Sequence, residues 1–247
     1  MSQRTSMRDI SAGVYDELIL RQGVQFQIDT YYETKDSAGK RRIKTVLEAL
    51  NPKAGEKVLD IGCGVGAFAF HCGTLTGFSV EIDYSFESLR AASEICKRYA
   101  QRAHTKFVVA NAVELPFKGG SFDKIVSADF VEHITFDEKK QLLNEMLRLI
   151  KQQGIIVIFT PNKIRKRIGE IYWKIRHMVF KDKIPFTDLH FGLTTRSAFE
   201  GLLKTRTLNF RLFYRDITRP YLARIPLLKR LLALNLLWVI KNDAYVR

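Results

Sequence analysis

The feature that most constrains this chain is an apolar strand that runs directly into a turn of three alternating glycines. The strand is Val58–Ile61, and the glycines are Gly62, Gly64 and Gly66. Such a turn brings bare backbone close to a ligand at the carboxyl end of a buried strand, which is where cofactors bind in open α/β sheets. The sequence therefore predicts an α/β fold with a ligand site at this turn.

An acidic residue just before the first glycine helps to choose between two kinds of ligand. Gly62, Gly64 and Ala67 also satisfy the dinucleotide pattern G-x-G-x-x-G/A, so the glycines alone leave a nicotinamide dehydrogenase open. Asp60 would repel a pyrophosphate but would attract the ammonium group of an amino-acid-like cofactor. The sequence therefore favours an amino-acid-like cofactor.

Apolar runs that alternate with helical patterns indicate a parallel sheet covered on both faces. A helix is predicted within residues 8–34, followed by another at 41–50, and later helices are predicted at 85–99, 136–150 and 195–204. The predicted strands lie at residues 58–61, 78–82, 106–110, 122–127, 155–160, 210–214 and 236–240. We expect one domain in three parts, namely a helical lead-in (1–50), a cofactor-binding core (51–162), and a lid with the last strands (163–247).

The glycine turn resembles the cofactor loop of class I S-adenosylmethionine (SAM)-dependent methyltransferases, a strand that ends in D-x-G-x-G-x-G. Further motifs of that family follow in the same order over roughly residues 45–162. The resemblance implies a Rossmann-like, seven-stranded, mostly parallel sheet with helices on both faces, and SAM as the cofactor. It also implies that one loop contacts the cofactor, with the residues Asp60, Gly62, Cys63, Gly64 and Gly66.

The same resemblance implies a second group of cofactor contacts. In the acidic motif at the end of the second strand, Asp83 would accept hydrogen bonds from the ribose hydroxyls, and Tyr84 would pack near the adenine. A helix-capping role is the alternative for Asp83. Asn111 and Ala112 open a segment like the family's D-A-x-x-L-P-F, where an amide oxygen can still accept from the adenine amine. Asp129 follows the fourth strand, beside the methionine end of the cofactor.

The candidate catalytic residues are Glu132, His133 and His190. The run Asp129-x-x-Glu132-His133, with His190 downstream, resembles the E-x-x-E-H metal motif of ubiquinone-pathway O-methyltransferases and small-RNA 2′-O-methyltransferases. The resemblance implies that these four residues bind Mg²⁺. In a second interpretation, a histidine is the base that deprotonates a hydroxyl acceptor. A third is that Glu132 and His133 line the pocket in a structural role.

Two late segments carry most of the net charge of +14. Residues 161–190 hold eight basic and three acidic residues, and residues 203–230 hold eight and one. Such surfaces attract phosphates of nucleic acid, anionic lipid or substrate. The segments form basic, aromatic inserts after strand 5 and between strands 6 and 7. The first contains Tyr172, Trp173, Phe180 and Phe186. In ubiquinone-pathway enzymes the corresponding insert contacts membrane, and an ordinary lid over the pocket is the alternative.

These features predict a SAM-dependent methyltransferase that O-methylates a small or lipid-linked acceptor at an anionic membrane surface. The alternatives are an RNA methyltransferase and an inactive accessory protein with the same fold, and nucleic acid is the less favoured partner because the inserts are rich in aliphatic residues. We expect a cytoplasmic protein, peripheral at the membrane, because three cysteines without metal-ligand spacing fit a reducing compartment and no apolar run spans a bilayer. The sequence does not indicate the oligomeric state.

Overall fold

The computed structural model describes residues 12–33, 37–76, 78–99, 104–180, 190–206, 208–217, 221 and 224–243. The predicted helical lead-in consists of three helical pieces. Helix α1 (Ala12–Gln27) is interrupted at Gly23, continues into a π-helical turn (Ile28–Tyr32), and is followed by α2 (Ser37–Leu50). Residues 1–11 and 34–36 of the predicted lead-in lie outside the described residues.

Strands and helices then alternate as the sequence predicts. In chain order they are β1 (Val58–Ile61), α3 (Ala67–Thr76), β2 (Phe78–Asp83), α4 (Phe86–Tyr99), β3 (His104–Val109), β4 (Phe122–Ala128), α5 (Phe136–Leu149) and β5 (Ile150–Pro161). A short 3-10 turn (Val131–His133) separates β4 from α5. The last elements are α6 (Lys163–Phe180), α7 (Arg196–Lys204), β6 (Asn209–Ile217), α8 (Pro226–Leu232) and β7 (Ala233–Lys241).

The strands form one seven-stranded sheet in the order β3-β2-β1-β4-β5-β7-β6. Neighbours from β3 to β5 are parallel, whereas β7 is antiparallel to both β5 and β6. The predicted Rossmann-like, mostly parallel sheet is therefore confirmed. Because β1 and β4 are adjacent, their carboxyl ends place the glycine turn beside the segment that begins at Asp129.

Helices cover both faces of the sheet and create two apolar clusters. One cluster joins α5 and α7 to the sheet around the fully buried Trp238, whose ring lies 5.0 Å from that of Phe199. The other joins α2 and α3 to the opposite face, where Leu50 packs near Phe159. Because both faces of the sheet are buried, the central strands are continuous apolar runs in the sequence.

Several predicted boundaries are wrong. Strand β5 begins at Ile150, five residues before its predicted start, and the helix predicted to include Ile150 ends at Leu149. Strand β3 begins at His104 rather than at residue 106, and β6 and β7 both extend beyond their predicted ends. The connection between β6 and β7 is correspondingly shorter than the sequence pattern indicates.

Both predicted inserts are present, as α6 after β5 and α8 between β6 and β7. The amide of Asn162, at the start of α6, donates hydrogen bonds of 2.9 Å to the carbonyls of Arg230 and Ala233, which fixes α8 beside α6. No residue of α6 is buried. Phe186 of the first insert lies outside the described residues. Among the described helices, none combines the length and apolarity that crossing a membrane requires.

Candidate functional site

The glycine turn adopts a backbone conformation that few other residues tolerate. Gly62, Gly64 and Gly66 have φ values of 73°, 54° and 77°, in the left-handed region where glycine carries no penalty. The amide of Gly62 donates to the carbonyl of Ile82 at 2.8 Å, which ties the turn to β2. A Cβ on Gly62 would lie 2.3 Å from Cγ of Phe130, whereas one on Gly64 would meet nothing within 4 Å. The turn is therefore packed on one side and open on the other.

The open side faces a cavity of about 1070 Å³. This volume is at the upper end of the range for small-molecule sites. All the predicted site residues except Gly66 line it, namely Asp60, Gly62, Cys63, Gly64, Asp83, Tyr84, Asn111, Ala112, Asp129, Glu132, His133 and His190. The structure thus brings residues from five separate segments of the sequence to one space.

Asp83, the predicted ribose ligand, already uses both carboxylate oxygens. Oδ2 accepts from the Gly64 amide and Oδ1 from the Ser85 amide, each at 2.9 Å. Burial raises the pKa of Asp83, and the hydrogen bonds from Ser85 and Gly64 oppose that rise. The helix-capping alternative is not supported, because the Ser85 hydroxyl caps α4 by accepting from the Ser88 amide at 3.1 Å. Each oxygen retains a further lone pair, so the ribose role stays a prediction.

Two of the predicted adenine contacts, Asn111 and Tyr84, are exposed to solvent. Asn111 is exposed, and its Oδ1 accepts from the Val113 amide at 3.2 Å. The Tyr84 ring meets the Tyr15 ring edge-on, with centroids 5.9 Å apart. Burial, followed by the nearby Tyr15, raises the pKa of Tyr84 to about 12, so its hydroxyl stays protonated at neutral pH.

Asp129 is held in an ion pair that the sequence analysis did not predict. Its carboxylate contacts the guanidinium of Arg42, which also lies 5.6 Å from the ring centroid of Phe68. Asp129 has a φ of 54°, in the left-handed region. Burial raises its pKa, and the charge of Arg42 opposes this. Among the described residues that line the cavity, Arg42 is the one arginine or lysine.

The three candidate catalytic residues form a compact cluster in the wall of the same cavity. Ligand atoms of Glu132, His133 and His190 lie within 4.8 Å of one another, and the two imidazole centroids are also 4.8 Å apart. The Tyr15 hydroxyl is 3.2 Å from Nδ1 of His133, and Lys166 contacts Nδ1 of His190.

Glu132 is a buried acid whose surroundings favour the neutral form. One carboxyl oxygen accepts from the Thr160 hydroxyl at 3.1 Å, while Oε1 has no hydrogen-bond partner among the described residues. Burial, and then the charge of Asp129, raise the pKa of Glu132 to about 8. Glu132 is therefore mostly protonated at neutral pH and is not the base of the cluster under those conditions.

The cluster does not fit the predicted Mg²⁺ site. Mg²⁺ prefers an octahedral shell of oxygen ligands, but two of these three residues offer imidazole nitrogens, and the predicted fourth ligand, Asp129, is paired with Arg42. Two imidazoles and one carboxylate suit transition metals better. We therefore derive no catalytic step through Mg²⁺.

Helix α1 covers the cavity and supplies residues that the sequence analysis missed. Tyr15, Leu18, Ile19 and Gln22 line the cavity from this side. The neighbouring Asp16 accepts hydrogen bonds from the Ser85 hydroxyl at 2.6 Å and the Glu87 amide at 3.0 Å. The helical pattern around residue 15 was a usable signal for the helix, but nothing in it indicated which surface the helix covers.

Comparisons with known proteins agree with this arrangement. The family model described as "Methyltransferase domain" matches residues 59–158. Methyltransferase GfsG of Streptomyces halstedii is 32% identical over 122 residues, which are 49% of this chain and 43% of the relative. Norajmaline N-methyltransferase of Rauvolfia serpentina is 32% identical over 109 residues, 44% of this chain and 37% of the relative. The chain thus spans less than half the length of these two relatives.

Solved structures show the same fold. The PH0226 protein of Pyrococcus horikoshii OT3 superimposes with a TM-score of 0.62 and 20% identity, covering 89% of this chain and 98% of that one. The glycine turn and Asp83, the last residue of β2, both lie within the matched residues 59–158. These findings identify residues 59–158 as a methyltransferase domain and support a class I SAM-dependent methyltransferase.

Proposed function

We propose that this protein transfers the methyl group of SAM to a hydroxyl acceptor that enters the cavity beneath α1. The observation that carries the proposal is a cavity of about 1070 Å³ that is lined both by the glycine turn with Asp83 and by the histidine cluster. Its size leaves room for a cofactor and a small acceptor together.

Three residues at or near the glycine turn suit the binding of SAM. The Gly64 backbone has no side chain to obstruct a ligand, and the buried Asp60 has an oxygen, Oδ2, without a partner among the described residues. An ammonium group in the cavity would donate to the Asp60 carboxylate, which lines it. Arg42 offers a guanidinium that can bind a carboxylate in place of, or together with, Asp129. These groups match the ammonium and carboxylate of a methionine moiety.

When bound, SAM supplies an electrophilic methyl group on a sulfonium. The protein has to hold the acceptor oxygen about 3 Å from that methyl carbon, in line with the sulfur, and keep water out. Helix α1 and the 3-10 turn close the cavity around this space. We assign the acceptor's proton to His133, because a hydrogen bond from Nδ1–H to the Tyr15 oxygen would hold the imidazole in the tautomer whose Nε2 is a proton acceptor.

We further propose that the acceptor is reached at an anionic membrane surface. The apolar side chains of α6 are at least 39% exposed at Ile164, Ile168, Ile171, Ile175 and Met178, a spacing that puts them on one side of the helix. Lysine and arginine residues flank this stripe, and Glu170 is the single acid in the helix. An apolar stripe with basic flanks suits the headgroup region of anionic lipid. The same charges would repel a second copy of α6.

Calorimetric titration with SAM tests the cofactor site. The native protein is expected to bind, and Asp83→Ala is expected to bind about tenfold to 100-fold more weakly, because a hydrogen bond to a charged group contributes about 1.5–3 kcal/mol. Glu94→Gln, which alters an exposed ion pair with Arg98, is the matched control and should bind like the native protein. No binding by the native protein would refute the proposed function.

A further inference from the structure

Two buried acids face each other beneath the glycine turn. Asp60 of β1 and Glu81 of β2 are directly opposite in the parallel register of the two strands. Their side chains point to the same face of the sheet, because paired residues share a face. Asp60 is 2% exposed and Glu81 is fully buried. Glu81 is not among the residues that line the cavity.

The two carboxyl groups find few donors around them. Asp60 Oδ2 and both oxygens of Glu81 have no conventional hydrogen-bond donor among the described residues. The Ser79 hydroxyl favours the charged form of Glu81, but it lies outside hydrogen-bond geometry. What remains to each carboxyl group is the other one, because paired residues on neighbouring strands lie about 4.8 Å apart. A hydrogen bond between them would lower the pKa of Asp60 and raise that of Glu81.

The charged and titratable groups around the pair offer Asp60 one positive charge and offer Glu81 weakly acidic groups. Asp83 on the β2 side raises the pKa of Asp60, and Arg42 of α2 lowers it. Around Glu81 lie four weakly acidic groups, namely Tyr32, Cys63, Cys72 and Cys96. None of these four supplies a positive charge to Glu81.

Two acids in contact and out of water cannot both be ionised, so they share a proton. Burial raises the pKa of Asp60 to about 7, and the hydrogen bond from Glu81 opposes that rise. Burial and the charge of Asp60 raise the pKa of Glu81 well above its usual range. The shared proton therefore resides on Glu81, which donates it toward the Asp60 carboxylate.

We propose that Glu81 is a positioning residue whose proton keeps Asp60 available as an anion for the ammonium group of the cofactor, so that cofactor affinity depends on the protonation of this pair. The inference rests on the proposed SAM binding. It adds a residue that never touches the cofactor but sets the charge of one that does.

The direction of the pH effect follows from the pair. Above about pH 7, Asp60 is ionised and Glu81 holds the one shared proton. Below that pH a second proton binds to Asp60, and the ammonium group loses its ionic partner. Affinity is therefore expected to fall by about tenfold for each pH unit below the pKa of Asp60.

The first test uses the native protein. SAM is titrated calorimetrically between pH 8 and pH 5.5, at each pH in two buffers with different heats of ionisation. We expect the affinity to fall below pH 7, with up to one proton released per cofactor bound in that range. An affinity independent of pH, with no proton released, would overturn the inference.

The second test separates Glu81 from the other acids in the cavity. Glu81→Leu fills a similar volume but cannot donate, so the midpoint of the pH profile should move upward by about one unit and the affinity at pH 7 should fall about fivefold. Glu81→Gln retains a donor toward Asp60 and should restore the native midpoint. Thermal unfolding of both variants checks that they fold.

The outcomes distinguish this inference from the proposed function. If the native protein does not bind SAM even at pH 8, the proposed function fails. If it binds at pH 8 but Glu81→Leu, folded, has the native pH profile, only the role of Glu81 fails. The same holds if Glu81→Gln behaves like Glu81→Leu. Glu94→Leu, on the exposed side of α4, is the matched control and should leave the profile unchanged.

Discussion

Gly62 is constrained both by its own backbone and by a neighbouring side chain. Its φ of 73° disfavours any side chain, and the ring of Phe130 occupies the space where a Cβ would lie, 2.3 Å from Cγ. Phe130 in turn lines the cavity next to Asp129. The glycine therefore sets the position of a cavity wall as well as the shape of the turn.

Gly62→Ala is expected to destabilise the fold and deform the site. The left-handed backbone costs roughly 1–2 kcal/mol for a residue with a Cβ, and displacing Phe130 adds about 1–3 kcal/mol. Gly55→Ala is the matched control, since Gly55 has a φ of 84° but nothing within 4 Å of its Cβ position. Urea unfolding measures both variants. Equal losses of stability would contradict the predicted clash.

The sequence indicated most residues of the candidate site because they follow strand ends, where side chains converge on one edge of the sheet. It did not indicate Arg42 or Tyr15. Arg42 meets a partner 87 positions away, and Tyr15 meets one 118 positions away. Both belong to helices before the sheet, and residue type alone does not show where such helices pack. The sequence therefore did not identify site residues that reach the cavity only because a distant helix packs against it.

At the scale of elements, α1 is attached to the domain through the start of another helix. The carboxylate of Asp16 accepts from the Glu87 amide at 3.0 Å, in the first turn of α4. This places a negative charge at the positive end of the α4 dipole. Gly23, with a φ of 76°, interrupts α1 between Tyr15 and the end of the helix. The segment before Gly23 thus covers the cavity and is fastened at Asp16.

Asp16→Ala is expected to loosen α1 and speed the exchange of cofactor. Removal of a helix-capping side chain costs about 1 kcal/mol, so the open form of α1 would become roughly fivefold more populated. Hydrogen–deuterium exchange should increase in residues 12–22, and dissociation of SAM should be faster in stopped-flow measurements. Glu17→Ala, at an exposed position of the same helix, should change neither quantity.

Strand boundaries were the least predictable part of the elements. The first residues of β5, Lys151 to Gln153, are polar and largely solvent-facing, so hydropathy did not mark them as strand. They are held by pairing, as when Ile150 aligns with Phe122 and the Gln153 amide donates to the Asn242 carbonyl at 2.9 Å. Backbone pairing can extend a strand beyond its buried part. Because the hydropathy pattern indicates only which residues are buried, it does not predict such extensions.

At the scale of the whole molecule, charge and exposed apolar area coincide. Helix α6 exposes its apolar stripe, and Ile225 and Leu227, at the start of α8, are exposed as well. Both helices belong to the late segments that hold most of the net charge of +14. A surface of this kind is expected to bind anionic membranes and to bind them less well at high salt.

Flotation with liposomes tests this surface. The native protein should float with vesicles that contain phosphatidylserine and remain behind with neutral vesicles. Ile171→Asp should reduce flotation, because it places a charge in the apolar stripe. Leu75→Asp, at an equally exposed position of α3, is the matched control and should float like the native protein. Flotation unaffected by Ile171→Asp would contradict a membrane role for α6, and preferential binding of RNA would favour the nucleic-acid alternative.

The order of the strands in the sheet also affects how the protein is made. Strand β7 is synthesised after β6, yet it lies between β6 and β5. On the ribosome, β6 therefore emerges before the strand with which it pairs, and residues 218–241 take roughly one to five seconds to add. During that interval the edge of β5 has no neighbour on that side. The nascent chain thus passes through a stage with an open, apolar strand edge, where a chaperone would protect it from aggregation.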